Sequence, residues 1–109
     1  MDRQTYLGLA DAALERVARW GDQFDPDEIE ATGTDGVVTL EFKDRARFVL
    51  NRQTATNQMW FAAGARAWHY DWNAERNAWL DDKDGHELLA RVVEVVAAKV
   101  GRALPPIGS

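Results

Sequence analysis

Asn51-Arg52-Gln53-Thr54-Ala55-Thr56-Asn57-Gln58-Met59-Trp60-Phe61-Ala62 reads as two strand ends joined by a tight polar turn. Phe48, Val49 and Leu50 precede it as one β-rich run, and Met59, Trp60 and Phe61 form the next. Thr-Ala-Thr-Asn between them is turn chemistry without glycine. Side chains alternate between the two faces of a strand. With Phe48 and Leu50 directed into a core, Val49, Asn51 and Gln53 face the other way. With Met59 and Phe61 inward, Gln58, Trp60 and Ala62 face outward. One sheet face then carries carboxamides around an exposed tryptophan, which is the make-up of a docking surface. A register displaced by one residue reverses every assignment and buries Trp60 instead.

Working outward, the pattern extends to both ends of the chain. From about Thr5 to Trp20, Tyr6, Ala10, Ala13, Leu14, Val17 and Trp20 recur at helical spacing, with Glu15 and Arg19 as a favourable i,i+4 pair on the other side. Gly21 is placed to stop this helix. Asp22 to Glu30 is a carboxylate-rich loop running into a first strand, with Ile29 and Ala31 inward and Glu28, Glu30 and Thr32 outward. Val38, Leu40 and Phe42 alternate inward on the next strand, leaving Thr39 and Glu41 outward. An aromatic strand follows the central pair, with Trp68, Tyr70 and Trp72 on one face and His69 and Asp71 on the other. Ala78-Trp79-Leu80 is a short last strand. Asp84, with Glu87 three residues on, has the form of a capping box. Leu88, Leu89, Val92, Val93, Val96 and Val100 line a second helix that Gly101 ends, and Leu104 and Ile107 are free to pack back. The order is helix, about six strands, helix. Short turns make the strands antiparallel neighbours. The expected fold is α+β, a two-layer sandwich with both helices on one sheet face and the other face open.

Composition narrows the chemistry. The 109 residues suit one domain, 1–109, and the net charge of −5 disfavours nucleic acid while favouring cations or a basic protein. With no cysteine there is no disulfide, no Cys-ligated zinc and no cluster held by the chain's own thiolates. The only serine is Ser109, so serine-nucleophile catalysis is not expected. No apolar run approaches the roughly 18 residues of a membrane span. The opening Met-Asp-Arg-Gln-Thr-Tyr has no signal or transit character, so the expected location is cytoplasmic. His69 and His86 lack the spacing of a histidine metal pair. His69 with Asp71 reads as two ligands, a base with its orienter, or a surface hydrogen bond. Asp81 to Gly85 resembles part of a calcium loop, but its glycine falls too early and helix capping accounts for it better.

Asn51-Arg52-Gln53, then Gln58-x-Trp60, His69-Tyr70-Asp71-Trp72, Trp79 and Glu87-Leu88-Leu89 together resemble the frataxin family, including its bacterial CyaY members. The resemblance spans nearly the whole chain in order and spacing. It implies the same sandwich and an iron-binding role in iron–sulfur cluster assembly, as iron donor or as regulator of a cysteine desulfurase and its scaffold protein. It implies no enzymatic role beyond a weak ferroxidase activity, and a monomer in the absence of metal. Family iron binding belongs to an acidic ridge along the first helix and strand; the residues at matching places are Asp11, Glu15, Asp22, Asp25, Asp27, Glu28 and Glu30. Carboxylates alone make weak, solvated, hard-oxygen sites suited to transient ferrous or ferric iron. Arg16 and Arg19 depart from the denser acidic run of many relatives. The family's scaffold-contact surface falls on Asn51, Gln53, Gln58, Trp60 and His69, with an imidazole where relatives carry a basic side chain. The competing reading is a metal-independent docking module with an acidic edge.

Overall fold

The computed structural model describes residues 1–108. Its elements run α1 (Arg3–Asp22), β1 (Ile29–Thr34), β2 (Val37–Phe42), β3 (Arg47–Gln53), β4 (Gln58–Ala63), β5 (Arg66–Asn73), β6 (Ala78–Asp81) and α2 (Leu88–Val100). The six strands form one antiparallel sheet in sequence order, as their short connections require. Among the described residues no helix is long and apolar enough to cross a membrane.

Turn chemistry sets the register. Asp35-Gly36 closes the first hairpin with Gly36 at φ 78°, so Thr34 pairs Val37 and Glu30 comes to face Glu41. Thr54–Asn57 closes the central hairpin, with Asn57 in the left-handed region that asparagine tolerates. Asn51 therefore lies opposite Trp60, and Trp60 opposite His69. The inward parity is that expected from the sequence: Val38, Leu40, Phe42, Phe48, Leu50, Met59, Phe61 and Tyr70 are buried. Against them pack Tyr6, Ala10, Leu14 and Val17 of α1 and Leu88, Val92 and Val96 of α2. Both helices thus cover one face and leave the other to solvent.

Three local expectations change. The first helix begins two residues earlier than the periodicity suggests, because Asp2 caps it by accepting from the Thr5 amide at 2.7 Å. Gly21 does not stop it. Gly21 lies buried within the last turn, where a Cβ would sit 2.6 Å from Ala31 Cβ, so the glycine serves close approach of α1 to β1. At the second helix the capping box is absent. Glu87 is itself the N-cap and accepts from the Leu89 and Ala90 amides at 2.7 and 2.9 Å. Asp84 stays in the preceding loop, accepting from His86 N and pairing with the buried Arg91 guanidinium at 2.8 Å. The capping motif misleads here because it needs only side-chain types at a spacing, which an acidic loop also supplies. The tail does fold back: Trp20 Nε1 donates to Pro105 O at 2.9 Å, and Leu104 and Ile107 rest against the core.

Candidate functional site

The acidic residues predicted for metal do not form one constellation. Asp25, Asp27, Glu28 and Glu30 line a shallow groove of about 640 Å³ between the α1–β1 loop and β2, joined by Glu41 and edged by Lys43 and Arg45. Asp25 Oδ1 accepts from the Asp27 amide at 2.9 Å, which folds the loop so that both carboxylates stay exposed. Glu28 is clamped by Arg102, whose hydrogen bonds hold its carboxyl below the usual range. Asp22, at the end of α1, is exposed and does not line this groove. Asp11 and Glu15 lie farther back on α1, beside Asp35. There Arg52 bridges Asp11 and Asp35, and Arg19 pairs with Glu15. Three of the seven candidates, Asp11, Glu15 and Glu28, thus carry an arginine partner. Among the described residues no three His, Cys, Asp or Glu converge closely enough to hold an ion. Dispersed hard-oxygen donors of this kind do not make a preformed coordination site.

Glu41 escaped the sequence-based site although its signal was present. The Asp-Gly hairpin fixes the register that sets it against Glu30. The counter-ion roles of Arg52 and Arg102 have no sequence signal, since ion pairs 41 and 74 residues apart leave no local pattern.

On the open face, Asn51, Trp60 and His69 form a row across β3, β4 and β5, and Gln53, Gln58 and Asp71 form the next. All five predicted docking residues therefore stand on one surface. Trp60 is half-buried rather than fully exposed. Its ring stacks on His69 with centroids 4.3 Å apart and planes 18° apart, and its Nε1 donates to Gln58 Oε1 at 3.0 Å. Cross-strand aromatic pairing covers one face of the indole, which counting alternation alone does not anticipate. His69 thus stacks on Trp60, while Asp71 instead accepts from Gln58 Nε2.

A two-layer α/β sandwich with an acidic end and an open aromatic–carboxamide face is the class of protein these features define. The chain belongs to the frataxin-like family, whose family model matches residues 1–102, and within it is CyaY-like. It is 35% identical over 108 residues to a Delftia acidovorans protein described as iron-sulfur cluster assembly protein CyaY, covering 95% of this chain and 96% of that one. Frataxin from Psychromonas ingrahamii superposes with a TM-score of 0.87 over the whole of both chains at 22% identity. Trimeric frataxin from Saccharomyces cerevisiae, in a ferrous complex, superposes with a TM-score of 0.61 at 24% identity, covering 91% of this chain and 85% of that one.

Proposed function

We propose that this protein works in iron–sulfur cluster assembly in the cytoplasm, binding iron transiently at its acidic end and docking through its open sheet face. The partners in this reading are a cysteine desulfurase and its scaffold protein. The protein acts as iron donor to, or regulator of, their complex rather than as an enzyme.

The observation that carries the proposal is the division of labour between two surfaces. The groove at the β1–β2 end gathers Asp25, Asp27, Glu28, Glu30 and Glu41. Of these, Asp25, Asp27 and Glu30 have no cationic partner among the described residues; the same is true of nearby Asp22. Their summed field attracts a hard cation or a basic partner patch. The other surface, centred on Trp60, is aromatic and rimmed by amides, as protein-binding centres are. Support for the cluster-assembly setting comes from the names of the family relatives.

The test is sulfide production and cluster formation by the cognate desulfurase and scaffold, with and without the protein. A changed rate that disappears with Trp60→Ala fits the proposal; an unchanged rate overturns it. The iron arm is read separately by anaerobic ferrous titration followed by NMR line broadening. Broadening should centre on the groove and vanish when Asp22, Asp25, Asp27 and Glu28 become amides. Broadening that persists after those changes would take these four carboxylates out of the iron site, and no saturable broadening in the unsubstituted chain would leave a metal-independent docking module.

A further inference from the structure

Gln58 stands beside Trp60 on the proposed docking face, yet every polar atom of its side chain is already engaged. Its Nε2 donates to Asp71 Oδ1 at 3.0 Å and to Asp82 Oδ2 at 3.2 Å. Its Oε1 accepts from Trp60 Nε1 at 3.0 Å and from Thr56 Oγ1 at 3.2 Å. A primary amide offers two donors and two acceptor lone pairs, so its capacity is spent. The amide orientation is also dictated. An indole nitrogen only donates and ionised carboxylates only accept, so the oxygen must face Trp60 and the nitrogen must face Asp71 and Asp82.

The residue is anchored through its backbone as well. Gln58 O accepts from Tyr6 Oη at 2.8 Å, which ties the start of β4 to α1 behind the sheet. Asp82 in turn is placed by its own amide, which donates to His69 O at 2.9 Å. Gln58 therefore joins the central turn, β5 and the segment after β6 to the edge of one indole, while His69 lies against that indole's face. A tryptophan side chain has only two rotatable bonds, and here one contact restrains its edge and another its face. Restraining an interface side chain before binding removes an ordering cost that the complex would otherwise carry.

We infer that Gln58 is a positioning residue: it holds the Trp60 indole ready for the partner and does not itself contact it. The inference rests on the docking role proposed for the open face. It differs from that reading, under which Gln58 is one contact among five.

The experiment uses the full chain, isotope-labelled, with the Trp60 indole N–H signal assigned by its loss in Trp60→Ala. Without partner, Gln58→Ala should speed solvent exchange of that proton by on the order of tenfold, as loss of one hydrogen bond predicts. Gln58→Glu keeps an acceptor for Trp60 but sets a third carboxylate against Asp71 and Asp82. Adding Asp71→Asn returns a donor to that cluster, so the double variant should recover the slow exchange that Gln58→Glu weakens. Affinity for the desulfurase–scaffold complex is then measured as a cycle. Gln58→Ala should weaken binding about tenfold when Trp60 is present and less than about twofold in the Trp60→Ala background. Equal losses in both backgrounds would make Gln58 a direct contact and overturn the inference. So would an indole signal indifferent to all Gln58 variants. Binding indifferent to Trp60→Ala would instead overturn the docking role, while the indole exchange, read without partner, still decides whether Gln58 restrains Trp60.

Discussion

Trp60 and Trp79 give one residue type opposite duties. Trp79 is 4% exposed and meets Tyr6 and Trp72 edge-on at 6.1 and 5.4 Å, so its removal leaves a cavity in the core. Trp79→Ala should destabilise the fold by about 3–5 kcal/mol. Trp60→Ala loses one stacked pair and one hydrogen bond at a half-buried site, and should cost about 1–2 kcal/mol. Denaturant melts of the two variants separate the cases, and equal losses would place Trp60 in the core. Gly21 is the other residue whose identity is set by a neighbour. A methyl there meets Ala31 Cβ at 2.6 Å and Leu40 Cδ2 at 3.2 Å. Overpacking of about 1–3 kcal/mol should outweigh the at most ~1 kcal/mol that alanine adds in helix propensity. Gly21→Ala should therefore lower the melting midpoint; a rise would mean that α1 and β1 separate without cost.

At the scale of elements, the second helix tests how its first turn is held. Glu87→Ala should cost about 1 kcal/mol and speed hydrogen exchange at Leu89 and Ala90, whose amides it caps. Asp84→Ala should leave those two amides protected, since Asp84 pairs with Arg91 instead. The reverse pattern would restore the capping box. This helix also shows where the sequence is legible. The apolar spacing of α2, the alternation of β2 to β5 and the turn residues between them all express a single periodic constraint, burial of one face, and so could be read directly. The orientation of Trp60 follows from the same constraint. Helix caps, the purpose of Gly21 and the counter-ions Arg52 and Arg102 depend on what folding brings near, and no period marks them. The acidic candidates illustrate the difference. Asp25, Asp27, Glu28 and Glu30 are neighbours along the chain and remain neighbours in space. Asp11 joins them only through the family resemblance; on α1 it lies apart, linked by Arg52 to Asp35.

Across the whole molecule, ion pairs fasten α2 and the C-terminal tail to the loops around the sheet. Asp44 is held below the usual carboxylate range chiefly by Lys99, Glu28 by Arg102, and Asp84 by the His86 amide and then Arg91. A carboxyl whose folded pKa is depressed contributes stability that is fully present above its unfolded value of about 4 and is lost as pH falls through the folded value. Melts should be flat from neutral pH to about 4 and then decline. At the alkaline end the sign reverses. Burial pushes the Tyr70 phenol up, so its contribution is present below about 10 and is lost as pH rises beyond it. A midpoint that already falls steeply between pH 7 and 5 would contradict the carboxylate assignment, and one that stays flat well above pH 10 would contradict that of Tyr70. The exposed acidic end should also make partner association salt-sensitive, chiefly in its on-rate. The most direct test of the account is the affinity of this protein for the cognate desulfurase–scaffold complex, measured for the natural chain and for Trp60→Ala at one ionic strength. The account predicts a loss of about 2 kcal/mol, roughly thirtyfold, in a variant that still melts cooperatively. Unchanged affinity, or a variant that unfolds as readily as Trp79→Ala, would contradict it.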